Sequence, residues 1–202
     1  MIMNNKWKNI SINQYKELSN VGTIENPLDR TIAILSILNK VDDTVYYNMS
    51  LSDLGKEVGV MEFMLESPKP ELKSKIKLNG ITYKLNDRVD KWTAGQYIDY
   101  MNVITQKDIN YGLCMAILYT PKGKGYGEGY DVLEAAETFN NECPIEYALG
   151  ISDFFFKLLT SLTETTLLSL KKQMEKVMKK EPEKAKELQK VIEAVNQIYG
   201  SL

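Results

Sequence analysis

The sequence has no histidine in 202 residues. That absence excludes Ser-His-Asp and Cys-His nucleophile systems, HExxH zinc sites and imidazole proton relays. Cysteine is nearly absent too. Cys114 and Cys143 form no CxxC pair. Cys114 sits in the apolar run "YGLCMAILY" and Cys143 precedes Pro144 at an expected turn, so both read as reduced, structural thiols. Net charge is also small, at -2. The molecule as a whole therefore has no electrostatic drive toward nucleic acid or acidic lipid, and any such contact must be local. No long apolar run is present. The greasiest stretch, "SDFFFKLLTSL", carries Asp153 and Lys157 and lies between Glu146 and Glu164, which is too short and too charged to span a bilayer. The first residues, "MIMNNKWKN", hold no apolar segment of the signal-peptide type, which points to a protein made in the cytoplasm.

What is present is a globular composition, 44% apolar and 26% charged, with clear helix starts. Ser11 and Gln14 form a capping box ahead of "INQYKELS". Asn26-Pro27 starts a second helix, "LDRTIAILSILN", with Ile34, Leu35 and Leu38 on one stripe. "SLSDLGKEVGVMEFMLE" predicts another helix, weakened by Gly55 and Gly59 and ended by Pro68 and Pro70. "KIKL-NG-ITYKL" predicts a β-hairpin over about 75–85, because Asn79-Gly80 suits a type I′ turn. In that register Ile76, Leu78, Ile81 and Tyr83 share one side, while Lys77 and Thr82 take the other.

Thr93 and Gln96 form a second capping box before "AGQYIDYMNVI". "SINQYKELSNV" and "TAGQYIDYMNV" share the cap, Gln-Tyr, an acidic residue two positions on, and a final Asn-Val. Either a unit is duplicated or a common helix start recurs. Helices "DINYGLCMAILYT", "DVLEAAETFNN" and "PIEYALGISDFFFKLLTSL" follow. The last carries Phe154, Phe155 and Phe156, which cannot all face one way. They serve a core buried on most sides, or one ring is offered to a partner.

The fold class expected is mainly α: a helical domain over 1–162 with one small hairpin, then amphipathic helices over 163–202. This lysine- and glutamate-rich tail reads as a helical hairpin or a pair of projecting helices. Its apolar stripes open with Leu167 and Leu170 and continue through seven residues, Met174, Val177 and Met178, then Leu188, Val191, Ile192 and Val195, and each stripe must be buried somewhere. Its basic run, Lys171, Lys172, Lys176, Lys179 and Lys180, is interrupted by Glu175 and Glu181 and reads as a solvated face. Nucleic-acid contact there is the minor reading, since no aromatic residue is interleaved.

"PKGKGYGEGYD" has glycine at 123, 125, 127 and 129. Leu118 stands where a Walker A loop needs its first glycine, and Gly125 where it needs Ser or Thr. Strict alternation never gives GxGxxG, and a helix rather than a strand is expected before it. The loop, with Lys122, Lys124, Tyr126 and Tyr130, is instead an adaptable partner-binding segment or a plain connector. Asp42-Asp43 and Asp87 with Asp90 do not follow the order of a calcium loop and suit caps and turns. No catalytic, cofactor or metal site is expected. Candidate partner contacts are the four loop residues, Phe154, Phe155 and the seven apolar residues of the tail.

The order "WKNISINQYKEL", "LNGITYKL", "WTAGQYIDYMNV", "AILYTPKGKGYGEGYD" and "ISDFFFKLL" resembles small proteins of the structural-gene module of tailed bacteriophages, in particular crAss-like and related phages of gut Bacteroidota. The resemblance covers most of 1–160 as a pattern. It implies a virion protein near portal and tail, cargo packaged with the DNA, or a tail-assembly chaperone. Portal, tail or ring components, or further copies of the chain, are the partners it implies. The host cytoplasm during assembly, and then the virion, is the location it implies. It carries over no catalytic residue.

Overall fold

The structure is a computed structural model and describes residues 6–155 and 157. The chain divides into two units, Met1–Ile151 and Ser152–Leu202. The apolar stripes of the tail lie outside the described residues.

The first unit is mainly helical with one small antiparallel sheet. Its N-terminal part begins with α1 (Ile12–Asn20). Both halves of the predicted capping box form: Ser11 Oγ accepts from Gln14 N, and Gln14 Oε1 accepts from Ser11 N, each at 3.2 Å. Asn26 caps α2 (Pro27–Asn39) by accepting from Leu28 and Asp29 N–H, with Pro27 in the first turn. Ile32 and Leu35 of α2 pack with Tyr46 of α3 (Thr44–Tyr47) and Leu54 of α4 (Leu51–Glu57) to make a small core. The helix predicted to run on through "VGVMEFML" stops at Glu57, and Val58–Leu65 is a 3-10 segment that buries none of its residues. Its cover is partial: Met61 packs against the small core and Phe63 meets the Trp7 ring edge-on at 5.1 Å, which leaves little packing energy to hold a regular α-helix.

The hairpin forms as its sequence requires. β1 (Lys75–Leu78) and β2 (Ile81–Leu85) pair with Leu78 opposite Ile81 and Ile76 opposite Tyr83. Asn79 and Gly80 take φ of 47° and 79°, the left-handed pair that a type I′ turn needs. Ile76, Leu78, Tyr83 and Leu85 are buried, whereas Ile81, beside the turn, is 46% exposed.

After α5 (Ala94–Ile104) comes α6 (Tyr111–Leu118), capped by Asn110. The helix predicted through Thr120 gives way to β3 (Tyr119–Pro121), which pairs antiparallel with β2. A fully buried apolar run cannot be told from a strand by periodicity, and here one run serves as both. α7 (Val132–Glu142) lies against α6, and Phe139 fills the space under the sheet. The Phe139 ring centroid is 4.8 Å from Tyr83 and 5.9 Å from Tyr119. In this unit a further helix starts at residue 145, with Ile145, Ala148 and Ile151 buried. Chain ends of this unit meet: Ile12 N donates to Cys143 O, Ile145 N to Ile10 O, and Asn13 Nδ2 to Asn141 Oδ1.

The sequence echo has a structural counterpart. Gln14 and Gln96 are both buried. Gln14 Nε2 donates to Ile37 O near the end of α2, and Gln96 Nε2 to Ile117 O near the end of α6, each at 2.7 Å. Gln96 thus satisfies a carbonyl at a helix end, whereas Ile37 O also accepts from Lys40 N at 3.4 Å. The second capping box is only half made. Thr93 Oγ1 accepts from Gln96 N at 3.0 Å, but no return bond from Thr93 N to Gln96 is found among the described residues. Replacing Gln96 by methionine keeps the volume and strands the Ile117 carbonyl, a loss of about 1–3 kcal/mol. Urea denaturation monitored by circular dichroism measures it. An unchanged midpoint would remove the latch from this account.

Candidate partner-binding surfaces

The glycine loop is laced by its own side chains. Lys124 Nζ donates to Gly129 O, and Gly125 N donates to Glu128 Oε2 at 3.2 Å. Gly123, Gly127 and Gly129 take positive φ, the conformation that glycine supplies at least cost. Tyr126 Oη donates to Asp99 Oδ2 of α5 at 2.8 Å. Burial and that carboxylate together push the Tyr126 phenol well above its ordinary range. Tyr130 is half-buried, with its hydroxyl 3.4 Å from Ala116 O. Both tyrosines therefore attach the loop to the helices. The loop's free charge at its start is Lys122, which is exposed.

In the second unit, Phe155 is 1% exposed. Phe154 is half-buried and meets Phe155 edge-on at 5.0 Å. Of these two candidates, Phe154 has surface to offer. Met174, Val177, Met178, Leu188, Val191, Ile192 and Val195 lie outside the described residues.

The acidic pairs are engaged locally. Asp42 Oδ1 accepts from Thr44 N and Thr44 Oγ1, which lowers its carboxyl below the usual range. Asp90 is held low by a two-pronged contact with Arg88. Among the described residues, no group of three or more His, Cys, Asp or Glu is placed to hold a metal ion. A polar groove of about 620 Å³ opens beside α1, the end of α2 and the end of α7, with Ser11, Gln14, Lys40, Asp43 and Asn141 on its walls. Ser36 also borders it, and its buried hydroxyl has no hydrogen-bond partner among the described residues.

Both thiols are free and buried. Burial pushes each up to about 12 from an ordinary 9.0. The unfolded chain therefore releases these protons first as pH rises past 9.0, and stability falls between there and about 12. At pH 8 an aromatic disulfide reagent should label neither thiol in the folded protein and both in urea. Rapid native labelling would show that the thiols are not enclosed.

Apolar side chains left on the surface are concentrated between residues 45 and 65. Leu51 is 74% exposed, Leu65 90% and Tyr47 56%, with Val45 and Val58 also exposed. A second feature is basic. β1 and β2 alternate, so that Lys75, Lys77, Thr82 and Lys84 share the side opposite the buried residues. Sequence reading put Lys77 and Thr82 on that side. Thr120 and Lys122 join them only through the third strand, which the apolar run before it makes read as helix.

No protein-family model, curated protein or solved structure matches the chain. Among the described residues, no helix is long and apolar enough to cross a membrane.

Proposed function

We propose that the chain is a non-enzymatic component of a tailed-phage structural module that acts by protein–protein contact in or around the head–tail apparatus. The observation that carries this reading is the apolar exposure of "VGVMEFML", Val58–Leu65, a stretch that fully buries none of its residues and leaves Leu65 90% exposed. Apolar exposure gathered along one stretch of a folded domain supports an interaction surface. Leu51 and Tyr47 extend the apolar exposure on the elements just before it. The resemblance of the 1–160 pattern to phage structural-module proteins supplies the setting, with portal, tail or ring proteins as partners. The glycine loop and the apolar stripes of the tail add further contacts in this reading.

The test is quantitative mass spectrometry of purified particles of the encoding phage, before and after DNA ejection. A fixed copy number in both supports a structural component, and loss after ejection supports packaged cargo. Leu51→Asp with Leu65→Asp should cut incorporation at least tenfold while the purified protein keeps its fold. Absence of the wild-type chain from particles overturns the virion reading and leaves a transient assembly chaperone.

A further inference from the structure

We propose that the solvent face of the β1–β2–β3 sheet binds the phosphate backbone of nucleic acid. This goes beyond the assembly role and does not depend on it. Pairing places Lys75 directly opposite Lys84, Lys77 opposite Thr82, and Lys84 opposite Thr120. Lys122 N donates to Thr82 O at 2.8 Å, which extends the β3 ladder by one residue and brings Lys122 alongside Thr82. Pro121 before it is buried, so the alternation sends Lys122 to the solvent side with the other lysines. All four lysines are exposed, and among the described residues none forms an ion pair. The result is a face made of lysine and threonine, on a protein whose net charge is -2.

Edge protection does not account for it. Lysines on an outer strand deter sheet-to-sheet association, and that explains Lys75 and Lys77. Lys84 lies on the central strand of the three, where no edge needs guarding. There it faces Lys75, a like-charge pair that destabilises a sheet. A bound polyanion would relieve that repulsion.

The composition chooses which polyanion. A protein interface has an apolar centre, and this face has none, since the sheet's apolar side chains are on the opposite side. Lysine and hydroxyl donors without stacking aromatics suit phosphate oxygens rather than bases. Neighbouring strands are about 4.8 Å apart and alternate residues about 6.8 Å. The four lysines thus have backbone positions within about 12 Å of one another, close to the Debye length of about 10 Å at 0.1 M salt. They would contact consecutive phosphates without reading sequence.

The experiment is fluorescence anisotropy of the full-length protein with a labelled 30-base-pair duplex and a 30-nucleotide single strand, over a series of sodium chloride concentrations. Four contacts predict a slope of log K against log salt of about −3.6 for the duplex and about −2.8 for the single strand. Lys84→Gln should reduce the duplex slope by about 0.9. The variant K75Q/K77Q/K84Q/K122Q should weaken binding at least tenfold at low salt, while the four-arginine counterpart retains it. The arginine variant separates loss of charge from loss of fold. Three results overturn the proposal: no binding at 50 mM salt, binding unaffected by the four glutamine changes but abolished by changing Lys176, Lys179 and Lys180 to glutamate, or equal affinity for an oligoglutamate peptide.

Discussion

Phe139→Ala lowers the stability of the first unit by about 3–5 kcal/mol, the cost of emptying an aromatic site in a packed core. Phe139 is fully buried and meets Tyr83 of β2 and Tyr119 of β3. Its loss therefore undoes the contact of α7 with two strands at once. The sheet is too small to stand without that support, since two or three short strands need a packed face. Tyr119 Oη also donates to Lys73 O just before β1, so the disturbance reaches the entry to the hairpin. Phe139→Leu should cost less than half as much. Guanidinium unfolding of both variants, followed by tyrosine and tryptophan fluorescence, gives the numbers. A loss below about 1 kcal/mol for the alanine variant would mean that the sheet is held from elsewhere.

Gly150→Ala is the second large effect, and it has the opposite cause. A Cβ at Gly150 would lie 2.4 Å from the Glu71 carbonyl carbon and 2.5 Å from its oxygen. Those are backbone atoms, with no flexible side chain to give way. The segment leading from Pro70 to β1 is tied to the helix that starts at residue 145 by Glu71 N donating to Glu146 O at 2.9 Å. Alanine pushes the strand off the helix and breaks that bond, for about 1–3 kcal/mol of overpacking and about 1 kcal/mol more for the bond. Gly55 is the control. A Cβ there meets nothing within 4 Å, and Gly55 lies in α4, so Gly55→Ala should stabilise by up to about 1 kcal/mol. Paired thermal melts read both signs. Two shifts in the same direction would refute the close approach at Gly150.

Local chemistry made part of this fold legible. Asn79-Gly80 set the hairpin register because both residues adopt positive φ, and Ser11, Asn26 and Thr93 marked helix starts because their side chains cap them. The third strand was not legible. Tyr119–Pro121 continues an apolar run, and only its pairing with β2, far away in sequence, makes it a strand. The 3-10 segment was hidden for a similar reason. Its apolar residues suggest a helix, and nothing in the sequence says that Trp7 and the small core cover them only in part. Among the candidate contacts, Tyr126 and Tyr130 turned out to anchor the loop, because Asp99 and the Ala116 carbonyl lie within their reach. The lysine face could be half read from period-2 alternation in "KIKL-NG-ITYKL". Its other half waited on the strand that periodicity could not reveal.

The two glutamine latches close over 23 and 21 residues, but Asn13 and Asn141 are 128 residues apart. On the ribosome this separation becomes time. Each helix pair can close as soon as its own residues emerge, whereas the pairing of residues 10–12 with 143–145 must wait for nearly the whole unit. At about 5–20 residues per second, that wait is on the order of 6–25 s. During it, the first-made helices keep bare the surface that α7 later covers, so the start of this chain is the part with the longest exposure to chaperones and proteases in the cell.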